Sequence, residues 1–257
     1  VRYARLNEAI EDANKADEDT EVSLRDHAQV LDQLTIGNPD HVITLNTNQS
    51  NVVGELLTLK NEVHFTGYGK ITNGLYNTGT LVSEVLTTGE VMNEGTLINK
   101  KKMNGTVNNR GKMVNEDSVE SLINRATLDN KGTIQAFTQT AGETRNEGLM
   151  TDVILDEGTL HNAGTLSRNT QKGGQSFNTA TVHTLLLSRG TFKGSVEDTN
   201  ALARIDDVYY PYLEDAMQAA SKAQEDVTVT LNNDVVVGDD LILDNASHLL
   251  TLDLDEH

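Results

Sequence analysis

Cysteine and tryptophan are missing from this 257-residue chain, and aromatics make up only 4% of it. Without cysteine there is no disulfide framework, no thiolate metal site and no cysteine nucleophile. Four Phe and six Tyr are too few for an ordinary globular core of this length, yet they suit a thin stack filled by aliphatics. No apolar run approaches the roughly 20 residues of a membrane span. The chain opens at Val1 without a basic-then-apolar leader, as a piece cut from something longer would. Positive charge is scarce too, with 20 Lys and Arg against 39 Asp and Glu and a net charge of −19. Residues 1–50 hold 10 acids and 4 bases, and residues 201–257 hold 13 acids and 2 bases. The stretch between them holds 16 acids and 14 bases. Such acidity argues against nucleic acid and anionic membrane surfaces as partners. The near-neutral middle suits stacked strands, where like charges about 4.8 Å apart repel.

What the chain does have is a repeat. Asn77, Asn93 and Asn109 lie 16 apart, and after a step of 21 so do Asn130, Asn146, Asn162 and Asn178. Two residues after each Asn stands Gly79, Gly95, Gly111, Gly132, Gly148, Gly164 or Ala180, and four after it an aliphatic from Leu81 to Val182. Four before it comes Gly89, Gly105, Gly142, Gly158 or Gly174, with Ala126 as the exception. A fixed period of this kind marks a solenoid. Thr/aliphatic runs cut by Gly and Asn read as strands between tight turns. Sixteen residues are too few for a helical pair but enough for a coil with a perimeter of roughly 50 Å. The expected fold is mainly β, a single-stranded parallel β-solenoid (β-helix) with 16-residue coils, capped by short amphipathic helices.

The register assigns the inside. Leu75, Val91, Val107, Leu128, Leu160 and Phe192 point inward, with Thr144 and Ser176 interrupting, as does the row Leu81, Leu97, Met113, Ile134, Met150, Leu166 and Val182. A third side is expected to bulge outward in some coils, at Lys100-Lys101-Lys102 and Asn169-Thr170-Gln171-Lys172. The Asn residues are expected to form one structural ladder, each amide bonded to those above and below. The wide step reads as a five-residue insertion near Asn115 to Ser121, an external loop.

The flanks repeat each other at an offset of 207. Tyr3, Leu6, Ala9, Ala13, Asp19, Val22, Leu24, Asp32, Leu34, Asn38, His41 and Leu45 recur as Tyr210, Leu213, Ala216, Ala220, Asp226, Val229, Leu231, Asp239, Leu241, Asn245, His248 and Leu252. Three units follow: 1–50, an N-terminal cap of helix and first strands; 51–200, the solenoid; and 201–257, the cap-like start of a second module. Helical spacing at Leu6, Ala9, Ile10 and Ala13, and at Leu213, Ala216, Met217 and Ala220, makes each helix a lid over a strand edge that would otherwise recruit other chains. The second helix, about Tyr212 to Ala223, is expected to cap the last coil while opening the next module. Strands are expected around Leu34–Ile36 and Val42–Leu45, matched by Leu241–Leu243 and Leu249–Leu252.

These cap residues, Tyr-x-x-Leu-x-x-Ala, an acidic turn, a Val-x-Leu strand and the closing Leu250-Thr251-Leu252-Asp253-Leu254, resemble the start of pectate-lyase-like modules. The resemblance covers residues 3–48 and 210–255. It implies a right-handed β-helix occurring in tandem in secreted and cell-wall-anchored proteins of Gram-positive bacteria, and it transfers no catalytic residue.

Chemistry is sparse. Polysaccharide lyase-like catalysis would need clustered carboxylates for Ca²⁺ and a nearby basic side chain. Lys100, Lys101, Lys102, Arg110 and Lys112, with Arg125, Lys131, Glu94, Glu116, Asp117 and Glu120, could share one face, and the five named first are the candidate ligand-binding residues. The seven His lack metal-ligand spacing, so no metal, and no cofactor, is expected. His41 and His248 are equivalents, which assigns them to packing. Thr80, Thr96, Thr133, Thr165 and Thr181 form a second column of the kind ice binding uses, broken at Lys112 and Leu149. The leading expectation is a structural or adhesive module of a repetitive, secreted bacterial surface protein. Its partners would be neighbouring modules of the same chain and a host glycan or surface protein. A carbohydrate-active β-helix enzyme is the alternative.

Overall fold

The computed structural model describes residues 2–237, 245, 247–255 and 257. Between Thr20 and Thr199 every strand pairs in parallel with its equivalent one turn away, giving a β-solenoid of about ten turns. The first side is a sheet running from Thr20–Ser23 through Ile43–Asn46 and Thr96–Asn99 to Thr191–Lys193. The stack thus begins inside the segment that the sequence assigns to the cap.

The turns shorten along the stack. Equivalents on the first side are Thr20, Ile43, Val63, Leu81 and Leu97, successive steps of 23, 20, 18 and 16 residues. The first four turns, the 16-residue one from Thr80 included, have three strands each; Leu34–Ile36, Leu57–Leu59, Leu75–Asn77 and Val91–Asn93 form the third side. From Met103–Asn109 to Thr165–Gln171 the second and third sides are one strand of seven residues, as in Ser118–Asn124 and Thr133–Gln139. The expected outward bulge is therefore absent at Asn169 and Gln171, which are buried, while Lys100, Lys101 and Lys102 sit in an exposed corner.

The single Asn column and its inserted loop are also corrected. Asn77, Asn93, Asn109 and Asn124 stack on the second sheet. Asn99, Asn115, Asn130, Asn146, Asn162 and Asn178 stack on the first. The step from Asn109 to Asn130 crosses from one edge of the coil to the other. No loop lies there, since residues 115–121 belong largely to Lys112–Asn115 and Ser118–Asn124. What changes is one residue: Met103 pairs with Val119 but Thr106 pairs with Ser121, a bulge that makes the next turn 15 residues long.

Both expected inward rows are buried, Thr144 and Ser176 included. Thr144 Oγ1 donates to Gln139 Oε1 at 2.5 Å and Ser176 Oγ to Gln171 Oε1 at 2.9 Å, so each interruption is half of an internal polar pair. The corner glycines are required sterically. A Cβ on Gly111 would lie 2.1 Å from the Gly95 carbonyl oxygen, and Gly158 has φ +90° with only 2.4 Å of clearance to Gly142 O.

Helix α1 (Leu6–Ala13) lies over the first coil, its Leu6, Ile10 and Ala13 packed into one core with Leu24, Val30, Leu34 and Ile36. Helix α2 (Leu213–Ala220) does not lie over the last coil. A hairpin of Ala203–Ile205 and Val208–Tyr210 intervenes, and Leu213, Ala216, Met217 and Ala220 belong to a separate core with Ala203, Val229 and Leu231. The two caps repeat in detail. Asn38 Nδ2 donates to Ala13 O and Ala16 O, and Asn245 Nδ2 to Ala220 O and Ala223 O. Asp19 accepts from the Val42 amide and Asp226 from the Leu249 amide, each at 2.8 Å. Thr20 pairs with Ile43 as Val227 pairs with Leu250. The expected strand at Leu241–Leu243, with Asp239 and Glu256, lies outside the described residues.

Candidate functional site

The corners are built by asparagine. Asn93 Nδ2 donates to Asn109 Oδ1 at 2.7 Å and also reaches Gly95 O (3.2 Å) and Lys112 O (3.0 Å). One amide thus closes its own turn and ties two coils together. The second-sheet ladder runs Asn77, Asn93, Asn109, Asn124, each step 2.7 Å. On the first sheet it runs from Asn99 through Asn115, Asn130 and Asn146 to Asn162 in steps of 2.6–2.7 Å. Donors point toward the C-terminal end throughout. Asn77 Oδ1, first in its column, accordingly has no donor, and Asn178 Oδ1, after the last link, has none either.

The residue after a ladder Asn is charged at Glu94, Lys100, Arg110, Glu116, Arg125, Lys131 and Glu147, and these corner positions separate the predicted cations. Lys100 shares its corner with Glu84, Glu116 and Lys131, whose backbone amides follow the first-sheet column; Arg110 shares the opposite corner with Glu94 and Arg125. Lys100 pairs with Glu84 at 3.1 Å and Arg110 with Glu94 at 3.7 Å, each one turn back. Lys101 Nζ lies 5.9 Å from the centre of the Tyr68 ring. Glu94 also accepts from the Tyr76 hydroxyl at 2.6 Å, which holds that phenol above its usual value. The five candidate binding residues are therefore not brought together: Lys100–Lys102 lie at one corner, Arg110 at the other, and Lys112 on the flat of the first sheet. Such exposed pairs hold surface side chains in place and contribute about 0–1 kcal/mol each. The Thr column divides as well, with Thr80 and Thr96 on the first sheet and Thr133 and Thr165 on the second.

The surface that does converge is the outer face of the first sheet. Lys112, Thr127, Asp129, Glu143 and Arg145 line a shallow depression there. Arg145 Nε donates to Glu143 at 3.1 Å, and His161 Nε2 lies 3.8 Å from the same carboxylate. His161 stacks on Phe177 with ring centres 5.2 Å apart and planes 14° from parallel. Asp129, Arg145, His161 and Phe177 stand in one outward row, paired in register one turn apart. Of these residues, sequence reasoning had placed only Lys112 in a site. The signal was present, since each of the four immediately precedes a ladder Asn, the outward position between two inward ones.

Comparison with protein-family models, with curated proteins and with solved structures gives no match. The class is thus defined by the fold alone: a parallel β-solenoid with an asparagine ladder at each of two corners.

Proposed function

We propose that the chain is a structural segment of a repetitive, secreted bacterial surface protein, a stiff spacer of the kind that the resemblance to tandem pectate-lyase-like modules implies. The observation that carries this reading is the pair of matching caps, 207 residues apart, bracketing a continuous stack. About ten turns spaced roughly 4.8 Å apart make a rod about 50 Å long before the second cap is added. Small-angle scattering of the full chain tests it: a cross-section that stays constant along an elongated particle is expected, and a compact globular profile overturns it.

A second reading concerns adhesion, and a specific observation favours it. The His161–Phe177 stack beside Glu143, Arg145 and Asp129 combines an aromatic platform with hydrogen-bonding charges, the combination that suits a saccharide. Titration with glycans should show weak binding that Phe177→Ala abolishes and Lys101→Ala leaves alone. No binding by the native chain removes adhesion while the spacer reading stands.

A further inference from the structure

The joint between the solenoid and the second cap is a reversal built from one hairpin. Thr191–Lys193, the last first-sheet strand of the solenoid, pairs antiparallel with Val208–Tyr210; that strand pairs antiparallel with Ala203–Ile205, which pairs antiparallel with Val227–Leu231. The sheet is unbroken across the joint, and three antiparallel steps leave the second cap's strands running opposite to the first module's. The core changes sides at the same place. Phe192 and its partner Tyr209 face the solenoid core, their rings 6.1 Å apart edge to face. Tyr210, Ala203, Val229 and Leu231 face the second core on the other side of the sheet. Reversed strands and a reversed face, with stacking continued in the same direction, amount to a half-turn about the stack axis. A half-turn is a proper rotation, so both caps keep one hand.

The same cap therefore occurs twice in this chain, once with this joint and once without it. At the N-terminal end, nothing among the described residues pairs with the outer edge of Thr20–Ser23. Val22 is half-buried where its equivalent Val229 is buried, and Ser23 is exposed where Thr230 is buried. Tyr3 is 40% exposed where Tyr210 packs against the second core. Residues 2–3 form no strand, whereas Val208–Tyr210, which contains their equivalents, does.

We propose that the N-terminal face, the outer edge of residues 20–24 with Tyr3, is a docking site for a preceding copy of this same module. The occupant is the segment equivalent to Ala201–Asp207. Its Ala203–Ile205 strand would lie on Val22–Leu24 as it lies on Val229–Leu231, and the first three residues of this chain would become the returning strand. Successive modules then turn by about 180°, to which sheet twist adds. Their outer first-sheet faces point alternately to opposite sides of the array. This inference rests on the tandem-module part of the reading above and adds the partner, the contact strand and the rotation.

The test extends the full chain. The seven residues of 201–207 are placed directly before Val1, reproducing the native junction of Asp207 with Val208. Hydrogen exchange at the amides of Ser23 and Arg25, whose equivalents Thr230 and Asn232 face the joint strand and of which Asn232 donates to Leu202 O, should slow at least tenfold relative to the unextended chain, while that of Leu24, already bonded to Asn46 O, stays unchanged. A control extension carries proline at its equivalent of Arg204, which a central strand does not tolerate, and should give no slowing. Equal exchange with and without the extension, or slowing by the proline control as well, overturns the docking site. The scattering experiment on the unextended chain is unaffected by either result, so the failure of the joint and the failure of the spacer reading are separable.

Discussion

Asn146 accepts from Asn130 and donates to Asn162, both at 2.6 Å, inside a corner that excludes water. Leucine in its place leaves the Asn162 carbonyl without its donor and takes from the Asn130 amide the nearer of its acceptors, with Gly132 O at 3.2 Å remaining. Each buried group so stranded costs about 1–3 kcal/mol. Asn146→Leu should therefore lower the urea midpoint clearly, and an unchanged midpoint would mean that the ladder carries no stability. Asn169 is the opposite case. It is fully buried between Val153 and Leu185, and neither Nδ2 nor Oδ1 has a partner. Here the desolvation cost is already incurred with nothing returned. Asn169→Leu, of nearly the same shape, should raise stability by about 1–3 kcal/mol, measured by the same denaturation. A destabilised variant would show that Asn169 is paired after all.

At the scale of strands and coils, the interior columns decide what can be exchanged. Gln171 stands between Leu155 and Leu187, and Ser176 between Leu160 and Phe192, so both neighbouring coils hold apolar side chains at these positions. Ser176 donates to Gln171 Oε1 at 2.9 Å, while Gln171 Nε2 separately donates to Gly174 O and Thr191 O. Gln171→Leu and Ser176→Val should each destabilise when made alone, whereas the double variant should recover about 0.5–3 kcal/mol of the summed loss. Strict additivity would mean that the pair is not coupled. The coils also mark how far the sequence could be read. The period, both inward rows and the cap helices follow from residue spacing alone, because a strand alternates every second residue and a helix does not. The second ladder was there to be read: Asn99, Asn115 and Asn130 keep the same 16- and 15-residue steps as Asn93, Asn109 and Asn124. Following a single series, however, turns a one-residue deletion into a five-residue insertion. The bulge lies between Met103 and Thr106 and contains Gly105, a residue type suited to it, but Gly105 also belongs to the repeating Gly column and reads there as one more turn. The Asp129–Phe177 row was legible as a position, the outward residue before each ladder Asn, but not as a site. Acid, base and aromatic side chains in one column share no chemistry to recognise, and only the pairing register brings them together.

Over the whole molecule, the most exacting position is the joint, where two cores meet through one sheet. Burial, and to a lesser degree the Asp215 carboxylate, push the Tyr210 phenol above its usual value. The unfolded chain loses this proton near the ordinary tyrosine value of about 10 and the folded joint only above it. Stability from keeping Tyr210 neutral is thus complete below that pH and is lost as pH rises through the folded value. Exchange at residues 203–231 should accelerate there before exchange at residues 96–162, and Tyr210→Phe should abolish the difference. The hairpin has a second task, which is to close the stack. Thr191–Lys193 would otherwise present an unpaired edge, with Phe192, Leu185 and Leu187 at the open end of the core; Tyr209 and Ala201 pack there instead. At the opposite end α1 covers the core, while the outer edge of Thr20–Ser23 stays unpaired. Removing residues 201–257 therefore opens the one end where an unpaired strand edge lies beside an uncovered apolar core, and such an edge recruits another. The shortened chain should sediment as a dimer whose fraction rises with concentration, while the full chain stays monomeric under the same conditions. Extra charge can separate this edge pairing from mere stickiness. Thr191→Lys in the shortened chain should restore the monomer, because beside Lys193 it adds like charge along the edge without touching Phe192. A shortened chain that is monomeric and as stable as its parent would mean that the last coil closes itself. The hairpin would then be a connector and not a cap.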